Sequence, residues 1–539
     1  HLAVGGRLLA GVLEHGVLAT SVGDWPVPFG IVFAMDLLSA IMVVLTGIMA
    51  TAVSIHAIAD IDAGRLHHGF CPLFQTLIMG VSGAFTTGDL FNLYVQFEVM
   101  LTSSFVLLTL GSGRRQLIGG IKYVTLNLVA SAIFLAAVGL LYGVTGTLNM
   151  ADLSETLAGE RARLAPELVT MIGTMLIVAF GMKAAAFPMF FWLPASYHTP
   201  PATVSAIFAG LLTKVGLYAL LRSFTLMFTV HLEWTHGLML LLAGITMVIG
   251  VLGAIAQGEL RRLLAFQIVS HIGYILMGLG LMVALARDGA AGGAAGGDPQ
   301  AARTAVALAL TGAIVYTMHH IVTATSLFLV AGTVERVGGT GRMTRLGGLS
   351  RTAPLLAGLY LVAALSLSGI PPFSGFWAKA ALVKAGLELE QGLVVTAALV
   401  TGALTLYAMM RAWSEVFWKP APAGAAGGPE AGERPGPMHP RERWLRLGPV
   451  IGLAGLILAI GLVPGPFFGL ARRAADQLLD PAAYVAAVRS IESPRPGWAE
   501  VRGRLGGAGG EGAEAADGAE AADGAEAAER AERAEGAES

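Results

Sequence analysis

Phe180-Gly-Met-Lys-Ala-Ala-Ala-Phe-Pro-Met-Phe-Phe-Trp-Leu-Pro194 places a lysine, Lys183, inside an apolar run shortly before a proline. A second lysine, Lys214, stands 31 residues further on in another apolar run. A charge at bilayer depth is unfavourable by ~2.5–3.5 kcal/mol on insertion scales, so several in one chain imply a use, most often the movement of ions or protons. Pro188 has no amide proton to donate and frees the carbonyl of Ala184, one residue from Lys183. The device recurs in Ser366-Leu-Ser-Gly-Ile-Pro-Pro-Phe-Ser-Gly-Phe-Trp-Ala-Lys379, where a Gly-Ile-Pro-Pro break precedes a lysine. Non-helical backbone at membrane depth is tolerated only where protein or a water-filled cavity satisfies it. Pro188, Pro194, Pro371 and Pro372 are therefore read as helix breaks. Two broken helices in corresponding halves predict an internal repeat with the functional site at the breaks.

Composition supports the membrane setting. Charged residues make up only 13% of the 539 and mean hydropathy is +0.70, whereas a soluble chain carries about 25% charged residues to cover its surface. A net charge of −2 without a basic patch gives no support to nucleic-acid binding. The single cysteine, Cys71, excludes an internal disulfide and a Cys-ligated metal site. It is expected to be an inert buried small residue. No cofactor and no metal site are expected in this chain.

A window of about 20 residues, the length that crosses the hydrocarbon core, finds apolar spans at 30–58, 71–88, 89–110, 117–142, 166–193, 200–229, 236–257, 262–286, 303–333, 352–384, 392–417 and 447–470. The expectation is thus an all-α, multi-pass membrane protein with about twelve helices. Residues 1–29, which begin at His1, read as the remnant of a truncated helix and a loop. Residues 30–417 form the core, with repeats at about 71–229 and 236–417. A Pro/Gly-rich loop at 418–446, a last helix at 447–470 and a polar, acidic low-complexity tail at 471–539 complete the chain. Arg65; Arg114 and Arg115; Arg261 and Arg262; Arg336, Arg342, Arg345 and Arg351; and Lys419, Arg434, Arg441, Arg443 and Arg446 fall in five alternate loops, against Arg161, Arg163, Arg287 and Arg303 in the opposite ones, and the positive-inside rule puts the richer set in the cytoplasm. The tail then lies outside.

Glu98, in Leu93-Tyr-Val-Gln-Phe-Glu-Val-Met-Leu101, has no opposite charge three or four residues away, so its partner must come from another helix. A buried lysine is the natural candidate. Pairing would raise the lysine's proton affinity and desolvation would lower it, so a change in separation could load or release a proton. The alternative is a static ion pair that locks two helices. Lys122 and Lys384, near helix ends, fit simple snorkelling. His319 and His320 in Tyr316-Thr-Met-His-His-Ile-Val-Thr323, and His271 in Val269-Ser-His-Ile-Gly-Tyr274, lie in apolar spans and could relay protons. Adjacent positions point to different helix faces, so one of the pair, His320, is favoured; His319 and His271 are secondary candidates.

Pro188-Met-Phe-Phe-Trp-Leu-Pro-Ala-Ser-Tyr-His-Thr-Pro-Pro201, continued by Val204-Ser-Ala-Ile-Phe-Ala-Gly-Leu-Leu-Thr-Lys-Val-Gly-Leu-Tyr-Ala-Leu-Leu-Arg222, resembles the antiporter-like subunits shared by respiratory complex I, membrane hydrogenases and Mrp-type cation/proton antiporters. Gly23-Asp-Trp-Pro-Val-Pro-Phe-Gly30 and the stretch from Gly369 to Lys379 are most similar to the D-type subunits of the Mrp branch. The resemblance runs from about residue 20 to 470. It implies a fold of fourteen helices with two inverted five-helix repeats, each with a broken helix, of which the start is missing here. It also implies functional roles for Glu98, Lys183, Lys214, His320 and Lys379, a chain of protonatable groups along the membrane mid-plane bridged by water. The implied partners are the other subunits of a hetero-oligomer in the cell membrane, the lipid bilayer, protons, and Na+ or Li+. Two alternatives stay open at this point: a proton-pumping arm of a complex I-type oxidoreductase or hydrogenase, and a scaffold whose lysines only pair helices.

Overall fold

A computed structural model describes residues 1–25, 27–111, 113–159, 166–229, 231–290, 299–420 and 438–491. Most of the 420–440 loop, the acidic tail from residue 492, and Arg161, Arg163 and Arg434 lie outside the described residues. After α1 (Leu2–His15) come β1 (Leu18–Ser21) and β2 (Val32–Met35), which pair antiparallel with Leu18 opposite Met35. This small sheet departs from a wholly helical chain: β1 falls in the stretch expected as a loop, and β2 takes the start of the expected 30–58 span, whose helix begins at Leu37. The next helices are α2 (Leu37–Asp60), α3 (Phe70–Thr86), α4 (Leu90–Thr109), α5 (Arg114–Thr145), α6 (Pro166–Ala184), α7 (Ala202–Leu226), α8 (Leu232–Ile255), α9 (Leu260–Gly280) and α10 (Pro299–Gly338). They continue with α11 (Pro354–Ser368), α12 (Ser374–Glu388), α13 (Gly392–Trp413), α14 (Pro440–Leu462), α15 (Pro464–Leu479) and α16 (Ala482–Arg489). Among the described residues ten helices are long and apolar enough to cross a membrane, and α3 and α11 are shorter apolar helices. The chain is a multi-pass membrane protein.

Local chemistry sets the boundaries. Asp36 and Asp89 cap α2 and α4 by accepting the amides of Ser39 and Asn92 at 2.9 and 2.7 Å, satisfying donors that a helix start leaves orphaned. The apolar runs 166–193 and 352–384 each look continuous to a hydropathy window, yet the helices stop at Ala184 and Ser368. The first resumes as a short helix at Trp192–Ser196. The run 447–470 also divides, because Pro464 and Pro466 cannot continue α14. Beyond these prolines the chain does not yet become a polar tail. In α15 the buried residues Ala471, Ala474, Ala475 and Leu478 recur at helical spacing and pack against the core. Cys71 corrects another expectation: it is exposed, because Phe70 and Phe74 supply the buried face of α3 and Cys71 points away.

Burial sorts the helices into an inner and an outer set. The apolar windows of α7, of Leu260–Ala286 and of α10 are 100, 94 and 94% enclosed, against 39% for α5 and for Gly392–Trp418. The outer helices therefore shield three inner ones from lipid, and the inner ones carry Lys214, His271, His319 and His320. Close packing between α6 and α7 depends on Gly216, where a Cβ would come within 2.7 Å of the Ala184 amide nitrogen. Small residues let membrane helices approach where no hydrophobic force drives them together.

Candidate functional site

Lys183 sits one residue before the end of α6, and the backbone beyond it is held without a helix. Ala185 adopts a left-handed φ of 61°, and the Ala186 amide donates to Gly181 O at 2.8 Å. Trp192 Nε1 turns back to Met182 O at 3.0 Å, and the Phe187 amide donates to Thr246 Oγ1 of α8 at 3.0 Å. The break is thus satisfied by protein groups, as membrane depth requires. The Lys183 ammonium donates to Ser131 Oγ of α5 at 2.9 Å, and Ser131 donates in turn to Glu98 Oε1 of α4. Lys183 Nζ lies 4.0 Å from Glu98 Oε1 and 4.8 Å from the centre of the Phe97 ring. The inter-helix partner that Glu98 requires is Lys183, with a serine hydroxyl inserted between them.

Lys214 is fully buried. One turn before it, Phe208–Leu212 forms a π-turn, and Lys214 Nζ donates to Ala209 O of that turn at 2.5 Å. A π-turn widens the helix by one residue and disturbs the i to i−4 ladder, a feature common at functional sites. Here the loosened carbonyl becomes the lysine's acceptor. No carboxylate lies within 4.0 Å of Lys214 Nζ among the described residues.

The third cluster joins α9, α10 and the second broken helix. His271 pairs through Nδ1 with the Tyr316 hydroxyl, and its ring stacks on His320 with centroids 5.4 Å apart. His319 turns the other way and meets Ser374 Oγ at 2.8 Å, and Ser374 meets Ser366 Oγ at 2.8 Å. The adjacent histidines do point to different faces, and each face has a polar destination. Lys379 Nζ donates to Leu367 O and Ser368 O at 3.0 and 3.2 Å and lies 4.7 Å from the centre of the Tyr274 ring. Those carbonyls end α11, where the helix dipole favours a cation.

The structure thus gathers Glu98 with Lys183, His271 with His320, and Lys379 with the end of α11. Contact between helices links the groups: α7 lies on α6 through Gly216, and Gly210 of the π-turn lies against Thr325 of α10, five residues after His320 and six after His319. Of the breaks, Pro188 and the pair Pro371–Pro372 lie in non-helical backbone, while Pro194 falls inside Trp192–Ser196. Lys122 and Lys384 are exposed, and Lys384 pairs with Glu388 at 3.7 Å. Ser131, Tyr274, Tyr316, Ser366 and Ser374 were not singled out from sequence. Hydroxyl residues in an apolar helix are common hydrogen-bonding elements, and only the helix arrangement shows which face a lysine or histidine. A buried pair also escaped: Arg222 of α7 bonds Asp36 at 2.7 Å.

Comparison with known proteins bears on all of this. The family described as NADH:quinone oxidoreductase/Mrp antiporter, TM, matches residues 87–291 and 301–405. The chain is 39% identical over 486 residues to the D-type subunit of the Na(+)/H(+) antiporter of Alkalihalophilus pseudofirmus, covering 89% of this chain and 90% of that protein. It is 36% identical over 487 residues to the corresponding Na(+)/H(+) antiporter subunit of Bacillus subtilis, covering 90 and 91%. Among solved structures it is similar to a chain of the Mrp complex from Dietzia sp. DQ12-45-1b, with a TM-score of 0.78, 31% identity and coverage of 91 and 92%. A chain of respiratory complex I from Thermus thermophilus shares the fold, with a TM-score of 0.70, 23% identity and coverage of 89 and 93%.

Proposed function

Since the chain belongs to the NADH:quinone oxidoreductase/Mrp antiporter transmembrane family, we propose that it is the proton-translocating subunit of a multisubunit Na+/H+ antiporter in the cell membrane. Protons move along a file of buried groups: Glu98 and Lys183, then Lys214, then His320 with His271 and His319 beside it, then Lys379. Water bridges the gaps between them. The chain is a transporter subunit that exchanges protons for a monovalent cation, with the remaining subunits as its partners. The two broken helices are the matching elements of two repeats, at about 71–229 and 236–417.

The observation that carries this reading is how the lysines are held. Lys183 has a carboxylate only at 4.0 Å, beyond an intervening serine, and Lys214 and Lys379 rest on backbone carbonyls. A lysine that merely locked two helices would remain charged and need a directly bonded counter-ion, since an uncompensated buried charge is strongly destabilising. A carbonyl or hydroxyl acceptor serves an ammonium and a neutral amine alike, because both keep N–H donors. Such seats suit groups that change protonation state during turnover.

The test is cation-induced recovery of a pH gradient in everted vesicles carrying the whole operon, wild type against Lys183→Ala, with assembly followed on a native gel. Exchange with Na+ or Li+ is expected in the wild type and its loss in an assembled variant. Persistent exchange in the variant would reduce Lys183 to a structural role. A wild type with no exchange would favour a redox-driven pump.

A further inference from the structure

The face that gathers Arg65, Arg114, Arg115, Arg261, Arg336 and Arg446 holds a cavity of about 600 Å3. Four of these six arginines are paired with carboxylates: Arg65 with Asp62, Arg261 with Glu335 at 2.7 Å, Arg336 with Glu442 at 2.8 Å, and Arg446 with Asp60 at 3.0 Å. Asp60, the last residue of α2, lines this basin beside Pro201 and Ala202 at the start of α7. From there a hydrogen-bonded path leads inward. Asp60 Oδ2 accepts the Thr203 hydroxyl at 2.7 Å and the Thr203 amide at 3.1 Å. Because an ionised carboxylate only accepts, the Thr203 proton is committed to Asp60. The Thr203 oxygen is then free to accept from His56 Nδ1, 3.0 Å away. His56 is fully buried one turn deeper in α2, and its Nε2 has no partner among the described residues.

We propose that Asp60, Thr203 and His56 form a proton port joining this basin to the inner helix that carries Lys214. It rests on the reading that the chain moves protons, and adds the place where they cross between water and the buried file. A proton arriving at His56 Nε2 displaces the Nδ1 proton to Thr203 Oγ1. Thr203 passes its own hydroxyl proton to Asp60 Oδ2, and Asp60 releases it to the basin. One proton enters and one leaves. The Thr203 hydroxyl is left donating to His56 Nδ1, and from that state a proton delivered to Asp60 passes to Thr203 while another emerges at Nε2. Thr203 lies eleven residues before Lys214 on the same helix, a distance of ~16 Å at 1.5 Å per residue, so water completes the connection. A simple helix pin would need the Asp60–Arg446 pair and the Thr203 amide. It would not need the hydroxyl shared with a buried imidazole whose other nitrogen points away from the contact.

Everted vesicles with the whole complex test the port through Thr203→Val, Thr203→Ser and His56→Gln, with Lys214→Ala as a reference in the same assay and assembly checked on a native gel. Thr203→Val keeps the Asp60–Arg446 pair and the backbone bond while removing the relay hydroxyl. The expected result is a loss of cation-driven exchange of roughly tenfold or more in Thr203→Val and His56→Gln, the scale of a missing proton-transfer group, with recovery in Thr203→Ser. Wild-type exchange in an assembled Thr203→Val complex, with Lys214→Ala inactive, overturns the port and leaves the functional reading standing. Full exchange in Lys214→Ala overturns both. If Thr203→Val does not assemble, His56→Gln decides; failure of both to assemble overturns the port in favour of a helix pin.

Discussion

At the scale of single residues, the charges in apolar runs were legible because insertion energetics make each of them an anomaly. Glu98, Lys183, Lys214 and Lys379 stand out against their neighbours for that reason. Their companions did not, since Ser131 and Tyr274 cost little to place in an apolar helix and gain meaning only from what they face. The seat of Lys214 permits a sharp test of protonation against charge. Arginine keeps the charge but does not lose its proton in proteins, so Lys214→Arg should assemble and yet lower cation-driven exchange by roughly a hundredfold or more. Vesicle exchange measured beside a native gel would show this, and wild-type exchange in Lys214→Arg would mean that positive charge alone is what the site needs.

Among elements, the proline breaks could be anticipated, whereas the π-turn at Phe208–Leu212 could not. A missing amide leaves a signature in the sequence. A one-residue widening inside Ser-Ala-Ile-Phe-Ala-Gly-Leu-Leu leaves none, because no residue there lacks a backbone donor. The second break turns on Gly369, which follows α11 with φ 83° and donates its amide to Leu365 O at 3.1 Å. The left-handed region is unfavourable for other residues by roughly 1–2 kcal/mol. A Cβ there would also come within 2.8 Å of Lys379 Cδ. Gly369→Ala is therefore expected to push Lys379 off Leu367 O and Ser368 O. The complex should persist on a native gel while exchange falls several-fold, roughly the effect of the ~1 kcal/mol that one hydrogen bond contributes. Unchanged exchange would show that these carbonyls do not set the lysine's working position.

Across the whole molecule, composition and hydropathy revealed the membrane class, and six arginines from the loops rich in cations line one basin. The C-terminal boundary was misjudged because α15 buries mainly alanines, whose weak hydropathy hides the helical stripe among charged neighbours such as Arg472 and Arg473. Yet these last helices close the far end of α2. Gln477 Oε1 accepts the Leu37 amide at 3.0 Å, and Tyr484 lies 5.0 Å from the Arg222 guanidinium that holds Asp36. Removing them would leave an orphaned helix-start donor and open a buried ion pair to the surface. Truncation after Ile491, which deletes residues 492–539 with the acidic low-complexity repeats, should leave assembly and exchange as in the wild type. Truncation after Val463 should abolish assembly on a native gel. If the shorter chain assembled and exchanged normally, α15 and α16 would be an appendage, and the closure of α2 would have to come from the helices that precede them.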